Sequence, residues 1–170
     1  ANFCIGSGTA DIRRIYAVDF ASVALPRAGG GHSASASAVT APLSAGQRIF
    51  CPPEWHKREL HTWRSDMASW LLLAADAFDS TLLPWKTART ASEAALYQAK
   101  VAFFKERTRT MRTLPKEMRK ITELISLSTG AVDYAGIQKQ LIRLREAMDE
   151  KYPDVPLKWP TPTNPAQLME

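Results

Sequence analysis

The stretch TASEAALYQAKVAFFKERTRTMRTLPKEMRK, Thr90 to Lys120, decides how the chain is read. Its apolar residues Tyr97, Val101, Phe104, Met111 and Leu114 recur at helical spacing, while Lys and Arg crowd the other positions. That pattern predicts one face for a core and another for an acidic partner. Thr90-Ala91-Ser92-Glu93 matches a capping box, in which the Thr hydroxyl and the Glu carboxylate each satisfy an orphan backbone N–H. The helix is expected to run from there to about Thr113. Leu114-Pro115 breaks it, since proline cannot continue the hydrogen-bond ladder.

Downstream, a shorter helix is expected from Lys116, with Met118, Ile121 and Ile125 inward and a stop near Ser128-Thr129-Gly130. Asp133 is placed to cap another helix, whose inward row reads Ile137, Leu141, Leu144 and Met148. Pro153 ends it. The remainder, DVPLKWPTPTNPAQLME, has a proline every few residues and is expected to be extended.

Upstream, Cys51-Pro52-Pro53 is a start signal, because proline is tolerated in a first helical turn. From Trp55 the residues Leu60, Trp63, Met67, Trp70, Leu71, Ala74 and Phe78 predict an amphipathic helix to about Asp79. Its three tryptophans are expected to divide between core and interface. Ser80 to Lys86 reads as a connector closed by Pro84. Residues 1–50 are rich in Ala, Ser, Gly and Thr, and Gly29 to Gly46 is low in complexity. Such a segment has little apolar surface to offset its ordering entropy, although IRRIYAVDFASVAL alternates enough for a short strand or extended arm. No stretch reads as a strand pair with turn chemistry. The expectation is all-α: a bundle of about four helices over 51–152, between an extended arm (1–50) and a Pro-rich tail (153–170).

At 170 residues the chain is long enough for one ordinary core. A net charge of +5 and a pI near 9.4 favour acidic partners: nucleic acid, an anionic membrane surface or an acidic protein. The most apolar run, Trp70 to Ala75, meets Asp76 and Asp79, far short of the roughly 20 apolar residues a membrane span needs. Cys4 and Cys51 make no disulfide framework, and a single bridge between them stays open. His56 and His61 lie about 140° apart around a helix and do not converge on a metal. There is no GxSxG, phosphate loop or HExxH, and Ser/Ala repeats rather than a helix follow Gly29–Gly31. No catalytic residue, metal or cofactor of its own is expected.

The basic cluster is the remaining signal. Lys100, Lys105, Arg107, Arg109, Arg112, Lys116, Arg119 and Lys120 are opposed within their span only by Glu106 and Glu117. Like charges at i, i+4 repel unless something neutralises them. The expected partner-binding face is Arg107, Arg109, Arg112, Lys116, Arg119 and Lys120. Without aromatic residues among them to stack bases, RNA would be met through its backbone; an acidic protein is the other candidate.

Leu96-Tyr97 near the start of a helix, the break at Leu114-Pro115, and Asp133 followed by Ile137, Leu141 and Leu144 resemble the LYR family of small mitochondrial helical proteins. Gln98 stands where that family has Arg. The proline-rich exit from Tyr152 to Pro165 is similar to that of an LYR accessory subunit of respiratory complex I, so the resemblance covers roughly residues 90–165. It implies scaffolding: a basic face docks a mitochondrial acyl carrier protein, whose acyl-phosphopantetheine enters the apolar core. An opening would be needed between the helix starting near Tyr97 and the one ending near Met148. The function expected is therefore a non-catalytic accessory subunit of a large mitochondrial inner-membrane complex, peripheral to the membrane on the matrix side. An Arg- and Ser-rich, acid-poor N-terminus, like that of organelle-targeting segments, agrees. The alternatives are a mitochondrial or plastid ribosomal protein binding rRNA, or a peripheral subunit of the mitochondrial ATP synthase.

Overall fold

A computed structural model describes residues 3–5, 14–18, 45–59, 62–87, 92–106, 111–127 and 131–153. In chain order these form strands β1 (Phe3–Ile5) and β2 (Ile15–Ala17), then helices α1 (Ala45–Phe50), α2 (Pro53–His56), α3 (Trp63–Phe78), α4 (Glu93–Lys105), α5 (Lys116–Leu127) and α6 (Tyr134–Lys151). Short 3-10 turns at Ser80–Leu82 and Pro84–Lys86 follow α3. The fold is all-α, as the periodicity predicts, with α3 to α6 as its long helices.

The chain divides into two compact units, residues 24–148 and residues 1–23 with 149–170. In the second, β1 and β2 pair antiparallel, with Phe3 opposite Ala17 and Ile5 opposite Ile15. No strand pair is expected from sequence, and the reason is the connection: it is long, so no two-residue turn advertises the pairing. In the first unit, α1 lies inside the segment expected to be an extended arm. Most of that arm, and the tail after Pro153, lie outside the described residues.

The expected helix from Trp55 to Asp79 is two helices. Arg58 takes a left-handed φ of 56°, and its N–H bonds back to Trp55 O at 2.9 Å, which closes α2. α3 then starts afresh at Trp63. The Thr62 hydroxyl accepts from Ser65 N, and the Ser65 side chain accepts from Thr62 N, a reciprocal cap that apolar spacing does not reveal. None of the tryptophans at 55, 63 and 70 is fully buried. Trp85, in the connector, is buried, and its indole N–H donates to Ile49 O at 3.0 Å.

α4 is capped by Ser92, whose hydroxyl accepts from Ala95 N, and it ends at Lys105 rather than Thr113. Thr90 and residues 107–110 lie outside the described residues. The inward row of α4 is also shifted by one residue. Leu96, Lys100 and Phe103 are buried, whereas Tyr97, Val101 and Phe104 are half-buried. Reading a lysine as necessarily solvent-facing displaces the predicted face.

α5 matches expectation closely. Met118, Ile121 and Ile125 are buried, joined by Met111 and Leu114 before the helix and by Leu71, Leu72 and Ala75 from α3. A fully buried Leu, Ile or Met contributes roughly 1.5–3 kcal/mol, so this group outweighs any surface ion pair at about 0–1 kcal/mol. Thr122 is buried too, with its hydroxyl donating to Met118 O at 2.9 Å and lying 3.1 Å from Met111 Sδ. The Asp133 carboxylate accepts from Gly136 N at 2.8 Å, the cap expected for α6. A Cβ on Gly136 would sit 2.2 Å from Asp133 Oδ2, so glycine makes room for that cap. Ile137 and Leu144 are buried and Leu141 is half-buried, but Met148 is exposed, a correction to the predicted row. The described part of α6 outlasts the core that it packs on.

Candidate functional site

Of the six residues expected to form a basic face, four are described and all four are exposed: Arg112 in the turn before α5, and Lys116, Arg119 and Lys120 on α5. Arg107 and Arg109 lie outside the described residues. Lys120 pairs with Glu123 at 2.8 Å, and Lys116 lies 3.9 Å from Glu117. Among the described residues, no acidic side chain pairs with Arg112 or Arg119. Lys100, counted with this cluster in the sequence, is not part of the surface.

The Leu96-Tyr97 pair splits between two environments. Leu96 is in the core, while Tyr97 lines a cavity of about 410 Å³ between α2, α3, α4 and α5. Ala68, Val101 and Phe104 supply apolar wall, and Lys57, Arg64 and Lys105 supply cationic groups. The Lys57 ammonium sits 4.5 Å from the centre of the Tyr97 ring. Glu54 holds Arg64 through Oε1, but its Oε2 and the Ser126 hydroxyl are buried without a protein partner, and both residues line the cavity. Volumes of about 300–1,000 Å³ are those of small-molecule sites. The opening implied by the family resemblance, reaching toward Met148, is not where this cavity lies.

A second constellation was not anticipated. Lys100 is fully buried, and its Nζ donates to Arg48 O and Cys51 O, each at 2.7 Å, and to Cys51 Sγ at 3.1 Å. Its three N–H donors thus meet three acceptors. On another side of the sulfur, His56 Nε2 lies 3.4 Å from Sγ. His56 Nδ1 lies 2.5 Å from Glu93 Oε2, and Glu93 Oε1 takes Arg48 Nη2 at 2.6 Å. A carboxylate only accepts, so Nδ1 carries the histidine proton and Nε2 is left to accept from the thiol. Cys51, buried, is a free thiol, as is the exposed Cys4.

The physics of this cluster is that of groups taken out of water. Burial pushes the Cys51 thiol above its ordinary pKa, with the neighbouring Lys100 pulling it back. Burial lowers Lys100, opposed by Cys51, and lowers His56, opposed by its hydrogen bond to Glu93. Desolvating an ammonium costs several kcal/mol, and hydrogen bonds to a charged group return about 1.5–3 kcal/mol each. Three such bonds hold Lys100 near balance and tie α4 to the carbonyls that end α1. The one sequence sign of this was Lys100 itself, standing between Leu96 and Phe103 in an otherwise apolar row.

His56 turns one ring nitrogen to sulfur and the other to carboxylate, so these groups do not surround a common point. No set of three His, Cys, Asp or Glu side chains among the described residues is arranged to hold a metal ion. No helix among them is long and apolar enough to cross a membrane. Comparison with protein-family models, with curated proteins and with solved structures finds no match.

Proposed function

We propose that this chain is a non-catalytic docking subunit of a larger assembly, receiving an acidic protein on the basic face of α5. The observation that carries the reading is the continuity of that face with the cavity. Arg119 and Ser126 are seven residues apart on α5, hence on the same side and about 10 Å along the axis. A partner bound at Arg112, Lys116 and Arg119 lies close enough to extend a group toward Ser126 and Tyr97. Charges placed this way set partner choice and association rate more than affinity.

The resemblance to LYR proteins names such a partner, a mitochondrial acyl carrier protein, and such an assembly, a respiratory complex of the inner membrane with complex I first. The cavity supports that version chemically. The phosphopantetheine arm carries a phosphate for Lys57 or Lys105 and an acyl chain for Val101 and Phe104. The test is affinity purification of the tagged full chain from mitochondria, beside the triple variant Arg112→Glu, Lys116→Glu, Arg119→Glu. Wild type is expected to retain an acyl carrier protein that the variant loses. Retention by both, or migration of the native protein on a gradient at its own mass alone, overturns the reading. Association lost on nuclease treatment would mean RNA instead.

A further inference from the structure

We propose that Cys51 and Lys100 form a covalent sulfur–nitrogen cross-link when hydrogen peroxide reaches the thiol, which makes this pair an oxidative modification site. The inference is independent of any docking partner. It starts from what surrounds the sulfur. Among the described residues its neighbours are Lys100 Nζ at 3.1 Å, His56 Nε2 at 3.4 Å and Arg48 O at 3.5 Å. One is the base His56, one is the Lys100 ammonium that donates to the sulfur, and no carboxylate touches it. A nucleophile in reach of a base, itself oriented by a third group, is the arrangement that activates a thiol, and here it works against burial, which holds the thiol above its ordinary pKa. Here Glu93 holds the base His56, and Arg48 in turn holds Glu93.

Access selects the reagent. Cys51 is 8% exposed, and the His56 side chain is fully buried. Burial of that degree excludes a peptide or a protein thiol and leaves only a reagent as small as peroxide. In the first step the thiol proton passes to His56 Nε2 and the sulfur attacks one peroxide oxygen. The O–O bond breaks, and the released hydroxide regains the proton as water, leaving a sulfenic acid on Cys51. In the second step Lys100 releases to water the proton it had directed at sulfur, keeps its two N–H bonds to the carbonyls, and attacks that sulfur as the neutral amine. The S–N bond forms, the S–O bond breaks, and the hydroxyl leaves as water with a proton from nitrogen. Thiol, amine and one peroxide thus give the S–N bond and two waters, sulfur losing two electrons and peroxide gaining them.

The second step is favoured by position. Lys100 is held against the sulfur by two carbonyl bonds of 2.7 Å, so the amine is present at high effective concentration. Burial, which lowers Lys100, keeps more of the neutral amine available than an exposed lysine would have. Cys4, exposed in a different unit of the chain, serves as an internal comparison: it has water around it.

The experiment treats the folded full chain with hydrogen peroxide, quenches it, digests it with trypsin and maps the peptides by mass spectrometry. The expected product joins residues 49–57 to residues 90–105, short of their summed mass by two hydrogens and resistant to cleavage after Lys100. Excess dithiothreitol is expected to release the two peptides. The same treatment in concentrated urea is expected to lose the joined product, because unfolding separates the pair. Lys100→Arg is expected to accumulate the sulfenic acid, captured with dimedone. An unreacted Cys51, a Cys51 oxidised without the joined peptide, or equal joining in urea overturns the proposal. The wild-type pair of measurements decides it even if the variant fails to fold.

Discussion

Lys100 and Arg112, Lys116, Arg119 and Lys120 belong to one basic run in the sequence and to opposite environments in the fold. On α4, Lys100 is fully buried and gives each of its donors to a named acceptor. On and before α5, Arg112, Lys116, Arg119 and Lys120 are exposed. The first is a structural tie whose charge is costly and compensated; the others are exposed charges, of which Lys120 is paired with Glu123. The difference teaches that charge type says little about role until it is known what lies around the nitrogen.

The largest effect should come from Lys100. Lys100→Met removes the donor from Arg48 O and Cys51 O and is expected to cost about 2–4 kcal/mol, read as a lower midpoint in urea unfolding. A loss under about 0.5 kcal/mol, the usual size of a surface substitution, would erase the distinction between the two regions. Next in size is Thr122→Val on the buried face of α5, expected to cost about 1 kcal/mol by removing the bond to Met118 O. That bond is made within one helix, whereas the Lys100 bonds join separate segments. Equal losses at the two sites would argue against the tie.

Smaller again is a pH effect. Burial lowers the pKa of His56 below its ordinary value of 6.5, so the unfolded chain binds the proton more readily. Its contribution to stability is complete above about pH 6.5 and is lost as pH falls toward the folded-state value. Urea midpoints measured from about pH 8 down to about pH 5 are expected to fall less steeply in His56→Gln than in wild type. Identical slopes would place that proton elsewhere. The smallest effect belongs to the exposed row. Arg112→Glu, Lys116→Glu and Arg119→Glu should each change stability by no more than about 0.5 kcal/mol, while together they abolish partner retention. A large destabilisation would mean that this face is structural after all.

Much of the fold was legible where one physical signal acts locally. Pro115 stands immediately before α5, Asp133 caps α6, and Met118, Ile121 and Ile125 point inward. The division at Arg58 was not legible, because a left-handed residue followed by a Thr62/Ser65 cap interrupts a row whose apolar spacing continues undisturbed. The surroundings of Tyr97 were not legible either. The cavity beside it is assembled from four helices, whereas the opening implied by the family resemblance reaches toward Met148.

By itself the sequence determined the helical class, the ends of α5 and α6 and the excess of positive charge, because periodicity, proline and capping act within a few residues. Only the tertiary structure decided that Lys100 is inside and that Cys51, His56 and Glu93 meet beside it. Those groups come from the α1–α2 junction, the end of α2 and the start of α4, and nothing local brings them together. Their contact depends on α2 packing along α4, and a lysine enters such a core only when the packing also delivers acceptors for its donors. That requirement acts across the chain, so no reading of neighbouring residues could meet it.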